Sequence, residues 1–232
     1  MTRALLVKEL KVLWTSPLPY VLGAVLHVTL GVLGHGQVVG RAQAVFQPLV
    51  PIAGFLVLLS APVLTARLFA EESRSGSLEL LLAVPVRTLR LVLGKYLAAL
   101  LTLFVLLAPV SLFAVLLAAF GDPDAGPVIT GLLGLALLAA ALVAVGTLSS
   151  ALTTSQPVAA VGSLFAVLIL WFAHVGSDAL AANSILASLS ISERLRGLAG
   201  GLVDLSDVVF FVAVAAVALT ASVAAVEARR WR

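Results

Sequence analysis

Residues 131–146 read GLLGLALLAAALVAVG, a run without one side chain that can make a hydrogen bond. Such a stretch has no polar face to offer water, and it is not isolated. Windows at 19–37, 49–69, 96–120, 128–150, 157–176 and 206–226 all come close to or exceed the ~20 mostly apolar residues that a membrane-spanning helix needs. The 232-residue chain is 62% hydrophobic and 11% charged. Its mean hydropathy is +1.18, whereas soluble domains are about 45–50% apolar and about 25% charged. A water-soluble core cannot absorb that excess. The expectation is one all-α integral membrane domain over residues 1–232, with six transmembrane helices. A β-barrel would alternate in segments of about ten residues, and these runs do not. Pro62 and Pro109 fall inside their windows and are predicted to kink those helices.

Charge sets the expected topology. With the N-terminus inside, the inner segments carry Arg3, Lys8, Lys11, Arg67, Arg74, Arg87, Arg90, Lys95, Arg229, Arg230 and Arg232, and the outer ones only Arg41, Arg194 and Arg196. The bias follows the positive-inside rule and puts both termini in the cytoplasm. The net charge of +3 therefore reflects orientation and gives a nucleic-acid reading no support. Arg3, Lys8, Glu9 and Lys11 interrupt the first stretch, and no small-residue cleavage site follows, so no cleavable signal peptide is expected. Residues 1–18 read as an interfacial helix. Leu6, Leu10 and Leu13 share one face, Lys8 and Lys11 lie elsewhere, and Trp14 is the anchor. Cysteine is absent, which excludes disulfides and thiolate chemistry.

Within the windows His27 is the ionisable group well inside a span, while His174 and Asp207 lie near ends. An ion-driven carrier is expected to hold Asp, Glu or Lys at membrane depth, and intramembrane proteases need paired Asp, Ser–His or metal-binding sets. Neither pattern is present. His27 on an apolar helix is more often a neutral packing residue than a substrate contact. If this protein moves something, its energy comes from elsewhere.

The charges are concentrated between the second and third windows: Glu71, Glu72, Arg74, Glu79, Arg87, Arg90 and Lys95 all lie within 71–95. Glu71 and Arg74, three apart, are predicted to pair on a helical extension of the second span. Gly76 breaks that helix, and Ser77 is placed to cap the next, with Glu79 in its first turn. LELLLAV then gives at most two helical turns before Pro85. So short a helix cannot bury Leu78, Leu80, Leu81 and Leu82 by itself. It either lies on lipid headgroups or plugs into a groove on another protein.

The string FAEESRSGSLELLLAVPVRTLRLVLGKYLA, residues 69–98, resembles the E-E-x-R-x-G-[ST]-x-E-L-L-L-x-x-P-V…G-K-Y pattern of ABC-2 type transporter permeases. Within that family it is most similar to the branch of gliding-motility and nitrous-oxide-reductase-maturation permeases. LVKELKVLWTSPLPYVL (6–22), SSALTTSQPVAAVGSLFAVLILW (149–171) and the tail from Ser192 resemble the same branch. Two departures are Ser77 where Thr is commoner, and TTSQP without an acidic residue before Gln156. The resemblance implies a type V-like exporter fold and a short cytoplasmic coupling helix within a coupling loop over 70–95. It also implies a division of labour. A separate cytoplasmic ABC ATPase, in two copies, binds ATP and Mg, and a second permease subunit completes a dimer. This chain has no G-x-x-x-x-G-K-[ST] phosphate loop; it is expected to be no enzyme, to bind no cofactor or metal, and to contact membrane lipid.

On the resemblance, Glu71, Glu72, Arg74, Gly76, Glu79, Leu80, Leu81 and Pro85 make the ATPase-coupling element, the leucines as plug and the charges fixing register. His27, Thr147 and Gln156 are the expected pathway-lining residues. The few hydroxyls in the spans cannot offset the desolvation of a multiply charged solute, so the expected cargo is amphipathic or apolar. The expected location is the inner or plasma membrane. The alternative is a non-transporting membrane subunit that transmits ATPase motion to an external partner. Residues 177–205 form the external segment, read as short amphipathic helices on the outer interface broken at Gly200-Gly201, with a substrate gate as the other option. Gly131, Gly134, Ala140 and Gly146 are read as permitting close helix packing.

Overall fold

The computed structural model describes residues 2–41, 45–77, 87–174 and 189–230. Nine helices and no strand are found among them: α1 (Thr2–Trp14), α2 (Leu18–Arg41), α3 (Leu49–Thr65), α4 (Arg67–Ser75), α5 (Thr88–Phe120), α6 (Ala125–Leu152), α7 (Gln156–Trp171), α8 (Ile191–Ala199) and α9 (Leu205–Arg230). Five stretches are long and apolar enough to cross a membrane, with α3 and α4 together forming one of them. The remaining window, 157–176, holds α7, whose 16 residues rise roughly 24 Å, short of a ~30 Å hydrocarbon core.

Helix α6 is the centre of the bundle, with α3, α4, α5, α7, α8 and α9 all packed on it. Its small residues explain the position. A Cβ at Gly131 would lie 2.7 Å from Val50, one at Gly134 would lie 3.1 Å from Leu198, and one at Gly146 would strike Thr65. Neighbouring helices approach where α6 has no side chain, which is the dense packing that holds membrane bundles together. The glycines therefore serve the bundle, as expected.

Pro62 acts at the junction of α3 and α4. The ladder continues only as far as the Ala66 N–H, which donates to Pro62 O at 3.0 Å. A new helix starts at Arg67, and its first N–H groups have no intrahelical acceptor. Ser150 of α6 supplies one from the side: its hydroxyl accepts from Phe69 N at 3.0 Å and Ala70 N at 3.1 Å, and donates to Ala66 O at 2.9 Å. All of this is buried. Pro109, by contrast, lies inside the 33-residue α5, which continues on both sides of it.

Two points differ from the sequence reading. The first is a boundary: helix α4 runs to Ser75, as the break at Gly76 predicts, but α5 begins at Thr88 rather than near residue 96. The connection expected over 70–95 is therefore confined to 76–87. Charge ends a membrane span, but it does not end a helix, and the roughly nine turns of the 33-residue α5 need not all lie in lipid. Gly76 does terminate α4, at φ 72. The second difference concerns α8, which does not rest on an outer surface. Its Ile191, Leu195, Leu198 and Ala199 are buried, with Leu195 against Gly54 of α3 and Leu198 against Gly134 of α6. Two side-chain-free positions create a seat, and the amphipathic helix fills it.

Replacing Ser150 by Ala removes an acceptor shared by two buried N–H groups. We expect a loss of about 2–3 kcal/mol, read as a lowered unfolding midpoint in detergent. Ser222→Ala, which removes only a bond to Ala218 of its own helix, is the control and should shift the midpoint far less.

Candidate functional site

The GKY tripeptide at the start of α5 builds the most charged buried site in the described residues. Gly94 comes first: a Cβ there would lie 2.7 Å from Leu5, so its absence lets α1 lie directly on α5. Lys95 follows on the same helix and is 1% exposed. Its ammonium donates to Glu9 Oε2 of α1 at 3.0 Å and to Glu72 Oε1 of α4 at 2.8 Å, and lies 5.4 Å from the centre of the Phe69 ring. Tyr96 then donates its hydroxyl to Ala140 O of α6 at 3.3 Å. Three successive residues thus join α5 to α1, α4 and α6.

The charges nearly balance. Glu9, itself buried, also accepts from Lys8 at 3.2 Å, and Lys8 lies 3.9 Å from Glu72. Two lysines therefore face two carboxylates. Glu72 has capacity left over, because its Oε2 is buried and has no hydrogen-bond partner. It borders a cleft of about 240 Å³ between α1 and α4, lined also by Arg67, Glu71 and Ser75. Arg67 closes one side, donating to Val12 O at 3.3 Å.

Of the expected coupling residues, Glu72 is at the centre of this site and Gly76 ends the helix that carries it. Glu71 and Arg74 do not pair as the spacing predicts. Glu71 turns instead to Arg67, 3.9 Å away, and Arg74 is exposed. The i,i+4 geometry toward Arg67 competes with i,i+3 and also borders the cleft. Ser77 bonds back to Ser75 at 2.9 Å and to Glu72 O at 3.4 Å. Glu79, Leu80, Leu81 and Pro85, with Leu78 and Leu82, lie outside the described residues. Glu9 and Lys95 were not singled out from the sequence. The signal was there for Glu9, which falls four residues after Leu5 and four before Leu13, on the apolar face of α1 rather than with Lys8 and Lys11.

The three expected pathway residues are not brought together. Thr147 is fully buried and donates to Val143 O of its own helix at 2.7 Å. His27 is exposed on α2, its Nδ1 2.5 Å from Gly23 O. Gln156 is exposed at the start of α7. At the opposite end of the bundle a second ion pair anchors α8 to α9: Arg194 bonds Asp207 at 2.6 Å and covers the Phe210 ring at 4.4 Å. Ser190 and Ser192 converge there on His174 and on Trp171 O.

Lys95→Met should cost about 3–5 kcal/mol, since it strands two buried carboxylates. Combining it with Glu9→Gln and Glu72→Gln should restore much of the loss. A melting series in detergent measures both, and a triple variant no better than the single one would refute the account.

The arrangement is a helix junction at one end of an apolar bundle, open on one side. In comparison with known proteins, no curated protein matches the chain significantly. The model of the family described as ABC-2 family transporter protein matches residues 37–190, a span that takes in α3 to α7 and includes Glu72, Lys95 and the connection between them. More than half of the sequence is covered by that match, and the helical, multi-pass architecture agrees with it: the chain belongs to the ABC-2 transporter family and is a membrane component of an ABC transporter.

Proposed function

We propose that the chain is a permease subunit of an ATP-driven exporter. It works as a homodimer with two copies of a separate cytoplasmic ATPase in the inner or plasma membrane. ATP and Mg²⁺ belong to the ATPase. The motif at 69–98 favours the gliding-motility and nitrous-oxide-reductase-maturation branch. The observation that carries the reading is the attachment of Lys95. The 76–87 connection leaves α4 just after Glu72 and enters α5 seven residues before Lys95, so both ends of this short connection are tied to the same ammonium group. A partner that pushes on residues 78–86 moves α4 and α5 together, and α1 with them through Glu9.

In this reading the face that carries 76–87 and both ends of the chain is cytoplasmic. Arg229 near the end of α9 bonds Ser73 of α4, which brings that end onto the same face. ATP closes the ATPase pair, the docked connections follow, and the spans rock between inward and outward openings.

The choice of cargo rests on where the polar groups of the spans direct their bonds. Ser60, Thr102, Thr147, Ser163 and Ser222 all donate to carbonyls of their own helices. Hydroxyls satisfied in this way offer little to a desolvated ionic solute, and the spans hold hardly any fixed charge. An amphipathic or apolar cargo, entering from the membrane or inner leaflet, fits such a surface.

Deletion of residues 78–84 should abolish co-purification with the ATPase while membrane insertion is retained. Survival of the complex would refute docking at this connection. In reconstituted membranes, ATP hydrolysis should rise with lipids, hydrophobic peptides or amphipathic drugs. Stimulation by small charged solutes alone would refute the cargo class, and stimulation only by an added external protein would favour mechanical transmission over transport.

A further inference from the structure

We propose that the cleft between α1 and α4 receives one basic side chain of the ATPase, a guanidinium or ammonium group bound by the carboxylates of Glu71 and Glu72, the latter turning its buried, unpartnered Oε2 toward the occupant. This rests on the docking reading above and adds the chemistry of the contact.

The accounting of charge around the cleft leads there. Its carboxylates are Glu9, Glu71 and Glu72, and its cations are Arg67 and Lys95. Glu9 has both oxygens engaged, one with Lys95 and one with Lys8. Glu72 has one oxygen on Lys95 and the other without a partner. Glu71 is held only by Arg67 at 3.9 Å, too long for a hydrogen bond. A buried carboxylate oxygen without a partner costs free energy that its neighbours do not return, so the cleft favours an occupant that donates hydrogen bonds and carries positive charge. An anion would meet three carboxylates. An apolar side chain would leave Oε2 unsatisfied. A multivalent metal would need a convergent set of ligands, and no group of three His, Cys, Asp or Glu residues suited to a metal exists among the described residues. The cleft is also in the right place, since Ser75 and Ser77 on its wall directly precede residues 78–86. A protein seated on that segment would have its own side chains within reach of Glu72.

The test titrates the ATPase that co-purifies with the permease against nanodisc-embedded permease, at low and high salt. Glu72→Gln keeps an acceptor for Lys95 and removes the charge; Glu71→Gln removes the other carboxylate. Each should weaken binding about tenfold and flatten its salt dependence, as loss of an interfacial charge pair does. Ser75→Arg places a guanidinium in the cleft from within and should block binding without lowering the melting temperature. Lys11→Gln, an exposed charge change on α1 away from the cleft, should bind as wild type. Wild-type affinity and salt slope in both Gln variants would mean that the cleft holds only water, and would overturn the proposal while deletion of 78–84 still abolishes binding. If that deletion leaves binding intact, the docking reading falls as well.

Discussion

Lys95 is an ammonium group held out of water at the edge of an apolar bundle, and two other helices depend on the way it is satisfied. An unpaired buried charge is intolerable at this depth, so Lys95 requires carboxylates, and they must come from other helices. Glu9 brings α1 and Glu72 brings α4. Without them α1 would be a surface helix attached by its leucines, and α4 a short polar extension of α3. A buried ion pair adds little net stability over an apolar replacement. What it adds here is specificity, because only one arrangement of α1, α4 and α5 brings both carboxylates to a single nitrogen.

The second constraint is the joint between α3 and α4. Proline removes a ladder donor and crowds the preceding turn, and at the joint that follows, the first donors of α4 find Ser150 of α6 rather than carbonyls of α3. Helix α4 is therefore fixed by two lateral partners, Ser150 at its start and Lys95 toward its end. Its backbone is not a rigid continuation of the span. Helix α4 is thus tied to α5 through charge and to α6 through a hydroxyl, and also to α1 through Arg67 and to α9 through Ser73.

How far the sequence could be read follows from the range of each interaction. Five of the six expected spans and the glycine-lined seams were legible because composition and small residues act whatever the partner. The break at Gly76 was legible because positive φ is a local property. The length of the connection was misjudged on its far side, since the charges at 90–95 were read as loop when they belong to the polar start of α5. The Glu71–Arg74 pairing failed for a related reason: spacing within a helix names possible partners, and the neighbouring Arg67 decides among them. Lys95 and Glu9 are 86 positions apart, and no local pattern links them. Only the placement of Glu9 on an apolar face hinted that it had a distant partner. The seat for α8 likewise requires Gly54 and Gly134, on two other helices, to be known as neighbours.

The distribution of bonds along the bundle has a mechanical consequence. Cross-links between helices by charge lie at the two ends, at Lys95 with Glu9 and Glu72 and at Arg194 with Asp207. Between those ends the hydroxyls mostly turn back to their own helices, as Thr102 does to Ala98 and Thr147 to Val143. Such bonds do not join neighbours. Contact in the middle depends on dispersion across surfaces made of glycine, alanine and leucine, which lacks direction and changes gradually as one helix slides past another. Strong, directional ties at the ends hold α1, α4 and α5 as one block and α8 with α9 as another. The central helix α6 connects the blocks: small residues line its seams, while Ser150 ties it to α4, its Ala140 carbonyl to Tyr96 of α5, and its Thr130 to Leu198 of α8. In the proposed rocking motion each block moves as a unit, and these hydroxyl contacts are where it is tied to α6.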